Sequence, residues 1–149
     1  MKPWEQLSEA GQIRRLRPLA IAALNRFPIE PLRLRLVGGF TNVIFRVDTA
    51  HGPFALRIDL HQDNSDEDVA NELAWLSAVG NETTLDVCRF VPARDGRRFV
   101  YTSAAGVPGN RRCVLFEWVP GRPLADNLTT DGYHKLGRLS AGLHLHGAG

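Results

Sequence analysis

Three stretches of alternating side chains, all within residues 32–60, constrain this chain more than anything else in it. Leu32, Leu34 and Leu36 alternate with Arg33 and Arg35. Val43, Phe45 and Val47 alternate with Asn42, Ile44 and Arg46, and Phe54 to Leu60 forms the third stretch. Successive strand side chains point to opposite faces, so each stretch reads as a β-strand. The connections, Gly38-Gly39 and His51-Gly52-Pro53, are short. Turns this tight join antiparallel neighbours, because a parallel return needs a crossover of about a dozen residues.

The flanks follow the helical period. Over residues 4–27, Leu7, Ile13, Leu16, Leu19, Ala20, Ala23, Leu24 and Phe27 recur at helical spacing. Gly11 and Pro18 are expected to divide this stretch into two helices, with Pro28 and Pro31 ending it. After the third strand, Ser65 is a candidate N-cap with Asp68 three residues on, and Asp66, Glu67 and Asp68 suit the positive end of a helix dipole. Val69, Leu73 and Leu76 form that helix's apolar stripe, and Gly80 is expected to end it. Residues 86–104 read as a second hairpin turning at Asp95-Gly96. Residues 112–119 read as a fifth strand, Pro120-Gly121-Arg122-Pro123 as a linker, and 130–146 as an amphipathic helix carrying Tyr133, Leu136, Leu139 and Leu143. The expected fold is α+β: a five-stranded antiparallel sheet with a packed helix.

Composition narrows the function classes. A net charge of +2 over 149 residues gives no argument for a nucleic-acid or anionic-membrane partner. Lys2 and Lys135 are the only lysines, and the many arginines are scattered. The longest apolar run, Leu19 to Leu24, is too short to span a bilayer, and Met-Lys-Pro-Trp-Glu holds no apolar signal region. A cytoplasmic protein is expected. Cys88 and Cys113 lack metal-ligand spacing and are expected reduced and buried; one disulfide is the alternative. His144 and His146 are two apart on a helix and share no face, which argues against a metal site. His61-Gln62-Asp63 reads as a solvated loop.

Three features carry chemistry, each with a structural alternative. A glycine turn between antiparallel strands can lie over a nucleotide's phosphates. Gly38 and Gly39 remove Cβ atoms there, and Thr41 and Asn42 add donors. The alternative is a plain hairpin. Arg57 stands among Phe54, Leu56, Ile58 and Leu60, so it needs a partner, and Glu72 in the following helix is the candidate. The pair is either a phosphate-directed cation braced by a carboxylate or a structural ion pair. Glu117 ends the fifth strand. Its carbonyl and the Val119 amide could pair with an adenine edge beneath Ile44 and Ala55, or the strand simply ends there. There is no Gly-Lys-Ser/Thr loop, no Gly-x-Ser-x-Gly elbow and no His-Glu-x-x-His.

Taken together, Gly38-Gly-Phe-Thr-Asn-Val-Ile-Phe-Arg-Val47, Phe54-Ala-Leu-Arg57, Asn71-Glu-Leu73, Phe116-Glu-Trp-Val-Pro-Gly121 and Leu136-Gly-Arg-Leu-Ser-Ala-Gly-Leu-His144 resemble the aminoglycoside phosphotransferase and choline kinase family, whose fold is kinase-like. The resemblance covers roughly residues 32–146. It implies an N-terminal helical segment (1–31), a kinase-like N-lobe (32–119), and a hinge with the first helix of a C-lobe whose remainder is absent (120–149). It implies ATP and Mg as cofactors, with the Mg ligands in the absent lobe. The nucleotide-binding residues would be Gly38, Gly39, Phe40, Thr41, Asn42, Ile44, Ala55, Arg57, Glu72, Phe116 as gatekeeper, Glu117 and Val119. Arg57 stands where the family usually has lysine. No residue of this chain matches the family's catalytic loop, His-Gly-Asp-x-x-x-x-Asn, so the 149 residues alone are expected not to turn over. The parent protein would phosphorylate a hydroxyl on a small molecule. The alternative is a non-catalytic module that binds nucleotide or self-associates as a homo-oligomer.

Overall fold

A computed structural model describes residues 2–39, 41–61, 63–122, 126 and 128–148. A short 3-10 turn, Trp4–Gln6, precedes helix α1 (Glu9–Leu24). Strands β1 (Arg33–Gly39), β2 (Asn42–Thr49) and β3 (Gly52–Asp59) follow, then α2 (Asp66–Glu82). Strands β4 (Phe90–Val91), β5 (Val100–Thr102) and β6 (Arg111–Glu117) complete the sheet, and α3 (Thr130–Gly147) comes last. The sheet is antiparallel with order β1-β2-β3-β6-β4, and β5 also pairs with β6. The α+β architecture is as expected from the sequence.

The segment read as a second hairpin is arranged differently. β4 and β5 both lie against β6, with Val91 opposite Leu115 and Val100 opposite Cys113. The turn at Asp95-Gly96 does form, with Gly96 at φ 83° and the Ala93 N–H donating to the Arg97 carbonyl at 2.8 Å. β6 is seven residues long and presents a whole edge of backbone groups. Pairing both short segments to it satisfies more of those groups than pairing the two with each other. The sheet is therefore five lanes wide, with six strands filling the lanes.

α1 also departs from expectation. The break falls before Ser8, the N-cap, whose hydroxyl accepts from the Gly11 N–H at 3.3 Å. Gly11 and Pro18 lie inside one continuous helix. Proline removes one i→i−4 bond, but Pro18 is exposed, while Leu16, Leu19, Ala20, Ala23 and Leu24 are fully buried. Packing on both sides of the proline carries the helix through it. Gly80 likewise does not end α2, which runs on to Glu82. A Cβ at Gly80 would stand 3.1 Å from Val87 Cγ2, so the glycine admits the returning chain rather than capping the helix.

The core is in two layers. α1 and Phe27 cover one sheet face, packing with Val43, Phe45, Val47, Leu56, Ile58, Cys113 and Leu115. On the other face Val69 and Leu73 of α2 meet Val114 and Phe116, with Ala55, Phe90 and Phe99 alongside. β6 is thus buried on both faces from Arg112 to Phe116. Cys113 is buried as expected, Cys88 is exposed, and both are free. Cys88 sits in the surface segment between α2 and β4, where no layer covers it.

α3 starts at the Thr129 cap, whose hydroxyl accepts from the Gly132 N–H at 3.1 Å. Its far end meets α2: His146 Nε2 lies 3.0 Å from Glu82 Oε2, and its ring stands edge-on to Trp75. Tyr133, Leu136, Leu139 and Leu145 of α3 are exposed. Pro123 of the expected linker lies outside the described residues. Among the described residues, no helix is long and apolar enough to cross a membrane, and no cluster of metal-ligating side chains occurs.

Candidate functional site

Strand register assembles a site on the sheet face turned away from α1. Ile44 stands opposite Arg57, and Arg57 opposite Val114. One pair along, Arg46 is opposite Ala55, Ala55 opposite Phe116, and Phe116 opposite Phe90. Even spacing along each strand puts all these side chains on one face. Residues 44, 55, 57 and 116, distant in sequence, become neighbours for that reason alone.

Arg57 is the centre. Its Nη1 and Nη2 donate to Glu72 Oε1 and Oε2 at 2.6 and 2.9 Å. This is the bidentate geometry that arginine's planar fork allows and lysine's ammonium does not. Cζ lies 5.2 Å from the centre of the Phe116 ring, within cation–π range. The Arg57 side chain is only 15% exposed, whereas Glu72 is 40% exposed. Arg57 Nε is buried and has no hydrogen-bond partner; the nearest carboxylate oxygen, Asp59 Oδ1, is 4.0 Å away. A buried donor without an acceptor is costly. Here it belongs to a group already charged, in the same lateral row of the sheet as Ile44 and Gly38.

Gly38 and Gly39, expected as the turn, lie in β1 itself, paired with Ile44 and Val43 after a register shift between Leu36 and Gly38. Gly38 stands opposite Ile44, in the same lateral row as Arg57, and a Cβ there would meet nothing within 4 Å. Internal packing does not require that glycine. At Gly39 a Cβ would stand 3.2 Å from Val43 Cγ2, so space is tight there. Thr41 is exposed, and its carbonyl accepts from the Leu60 N–H at 3.4 Å, which ties the turn to the end of β3. Asn42 stands opposite Asp59. Phe40 lies outside the described residues.

The hinge candidates are less well gathered. The Glu117 N–H donates to the Arg89 carbonyl at 2.8 Å, on the β4 side, and the Trp118 N–H donates to the Pro53 carbonyl at 3.3 Å. Glu117 borders a cavity of about 270 Å³ with Leu76, Ser77, Gly80, Asn81, Arg89 and Phe90. Val119 is exposed. The structure brings Ile44, Ala55, Arg57, Glu72 and Phe116 together, and sets Glu117 and Val119 at the margin.

Two groups escaped the sequence reading. Trp118 receives the Arg46 guanidinium over its ring at 4.7 Å, while Arg46 Nε donates to Asp48 Oδ1 at 2.8 Å. That bond, and Arg35 beside it, hold the Asp48 carboxyl below the usual aspartate value of 3.8. Arg46 and Asp48 sit two apart on one strand, so their shared face was available as a signal. The second group centres on Arg112, buried with Asp59 and bonded to Asp66, and no local pattern reveals it.

Comparison with known proteins bears on the family and the fold. Residues 33–148 match the model of the phosphotransferase enzyme family, APH. The microcompartment-associated aminopropanol kinase is 32% identical with a TM-score of 0.74, over 87% of this chain and 40% of that one. The amicoumacin kinase hAmiN, solved with AMP-PNP, Ca2+ and Ami, superposes with a TM-score of 0.61 at 15% identity, over 78% of this chain and 35% of that one. At that identity it shows the fold alone. This chain therefore spans well under half the length of either kinase. No curated protein matches. The family match over 33–148, on a kinase-like lobe with its strand cation paired to a helix glutamate, means that this chain belongs to the phosphotransferase enzyme family.

Proposed function

We propose that this chain is the nucleotide-binding lobe of an ATP-dependent small-molecule kinase that phosphorylates a hydroxyl of its acceptor. The observation that carries this reading is the bidentate Arg57–Glu72 pair in the same lateral row of the sheet as Gly38, with one buried Arg57 donor still without an acceptor. ATP, bound with Mg, would supply the transferable phosphoryl group. The chain's own residues bind and orient. Arg57 would hold the α/β-phosphates while Glu72 fixes its plane. Gly38, Gly39, Phe40, Thr41 and Asn42 would cover the phosphates with unobstructed backbone. Ile44, Ala55 and Phe116 would enclose the adenine, and the Glu117 carbonyl and Val119 amide would read its edge. The working division is 1–31, 32–119 and 120–149: helical cover, lobe, then hinge with the first helix of a second lobe. A consumer of ATP fits the cytoplasm.

Arginine in place of lysine suits this role. Two of its nitrogens are committed to Glu72, and a guanidinium carries further N–H donors for a second anion. Lysine would have to divide one ammonium between both.

The test is AMP-PNP binding to the 149-residue chain by calorimetry. Replacing Arg57 by Ala should weaken it by about tenfold or more, the size of a lost charge-assisted hydrogen bond. Unchanged affinity in Arg57→Ala would refute the assignment and leave the pair as a structural brace. The same chain is expected to transfer no phosphate, since none of its residues supplies the family's catalytic aspartate. A second reading, a module that binds nucleotide without catalysis and self-associates, is favoured by the exposed Tyr133, Leu136, Leu139 and Leu145 of α3.

A further inference from the structure

Arg112 makes none of the nucleotide contacts proposed above, yet it is the largest fully buried side chain, 1% exposed. It lies on β6 with Val114 and Phe116, on the face that α2 covers. Its Nε donates to Asp59 Oδ2 at 2.8 Å, and Nη2 lies 2.7 Å from the same oxygen. Nη1 donates to Asp66 Oδ1 at 2.7 Å, and Nη2 donates to the Asn64 carbonyl at 2.7 Å. Tyr101, opposite Arg112 on β5, donates its hydroxyl to the same Asp66 oxygen. The Phe99 ring lies 5.7 Å from Arg112 Cζ. One guanidinium thus joins β6, the last residue of β3, the β3–α2 loop and the first residue of α2.

Those attachment points bracket the candidate site. Asp59 follows Arg57 by two residues on the same strand face, and its other oxygen, Oδ1, is the one 4.0 Å from Arg57 Nε. Asp66 opens the helix that carries Glu72. Only Val69, Leu73 and Val79 of α2 are buried, a narrow apolar seat for a helix of 17 residues. Three aliphatic side chains hold a helix down, but they fix its rotation and axial slide weakly. A buried ionic network contributes little net stability, and its directional bonds select one geometry instead.

We propose that Arg112 is a positioning residue: it locks the N-terminus of α2 to the end of β3, so that Glu72 meets Arg57 in bidentate register. This rests on the reading of Arg57–Glu72 as the phosphate-directed pair. Lysine cannot substitute, because one ammonium does not span Asp59, Asp66 and the Asn64 carbonyl in a single plane.

The experiment uses the intact chain with AMP-PNP as probe, and Arg112→Met, which keeps length and removes the fork. Hydrogen exchange should rise by about tenfold or more in residues 66–73 while α1, β2 and β3 keep their protection, the pattern of local rather than global opening. AMP-PNP affinity should fall about tenfold in the native background and not fall further when Arg112→Met is added to Glu72→Ala, since contacts that act through one another are not additive. Equal losses in both backgrounds, or exchange that rises evenly throughout the chain, would overturn the proposal. Should Arg112→Met not fold, Asp66→Asn takes its place. It alters the partner that is 57% exposed and should show the same local pattern at smaller amplitude; unchanged protection in 66–73 would overturn the proposal. If the native chain takes up no AMP-PNP, the nucleotide assignment itself fails, and the exchange pattern alone decides the role of Arg112.

Discussion

Arg57 holds both oxygens of Glu72 and keeps one buried nitrogen without an acceptor. Replacing it by Lys preserves the charge and loses the fork. AMP-PNP affinity of Arg57→Lys should therefore lie between that of the native chain and that of Arg57→Ala, and calorimetry of the three orders them. Affinity equal to the native value would show that charge alone suffices. The cysteines give a second prediction. Burial pushes the Cys113 thiol up to about 12, while Cys88 is exposed. A thiolate reagent near neutral pH should label Cys88 alone in the native chain and both in denaturant, read by mass. Native labelling of Cys113 would contradict the packing of β6. At this scale the sequence showed part of the site. A lone cation among Phe54, Leu56, Ile58 and Leu60 demanded a partner, and Glu72 was in reach. Arg112 gave no such signal, because its strand continues Cys113-Val-Leu-Phe116 and is apolar on both faces. Alternation vanishes in a central strand, and with it the clue to which side an arginine enters.

At the scale of elements, α2 is the one whose placement matters most. Its start is a complete capping box: the Ser65 hydroxyl accepts from the Asp68 N–H at 3.1 Å, and Asp68 Oδ2 accepts from the Ser65 N–H at 2.9 Å. Ser65→Ala should cost about 1 kcal/mol in thermal or denaturant unfolding. Leu73→Ala, in the seat against Val114 and Phe116, should cost about 2–5 kcal/mol. The same end is sensitive to acid. Asp66 is held below the ordinary aspartate value of 3.8 by the Tyr101 hydroxyl and then Arg112, and Asp68 is held below it by Ser65. Carboxyls with lowered folded-state values add stability that is fully present above the unfolded value and lost as pH falls through the folded one. An acid titration followed by circular dichroism should show helix loss beginning below pH 3.8, and Asp66→Asn should shrink that acid-dependent part. The element order was legible because the period switches between 3.6 and 2 mark helices and strands directly. The pairing of β4 and β5 was not: the Asp95-Gly96 turn suggests a hairpin, and only the free edge of β6 decides otherwise. Nor was the unbroken α1, since tertiary burial of Leu16 to Leu24 overrides what Pro18 prefers locally.

For the whole molecule, the exposed apolar side chains of α3 set the behaviour of the isolated chain. Tyr133, Leu136, Leu139 and Leu145 are 58%, 44%, 38% and 78% exposed. This chain spans 40% of the aminopropanol kinase it resembles, and the proposed second lobe would cover such a surface. Without that cover, light scattering should show association that grows with concentration. Leu136→Glu with Leu139→Glu should return a monomer with unchanged circular dichroism; a native chain that stays monomeric at high concentration would remove the self-associating reading. Although Leu32, Leu36 and Val37 are exposed at the β1 rim, the rims of the sheet are poorly suited to pairing with a strand of another copy. On one side β1 carries exposed Arg33 and Arg35 and a register shift after Leu36. On the other, β4 and β5 divide the outer lane into pieces of two and three residues. Neither rim offers a long, straight, uncharged row of amides on which a foreign strand could be laid. Copies that stick through α3 should therefore come apart again on dilution, instead of growing into fibrils.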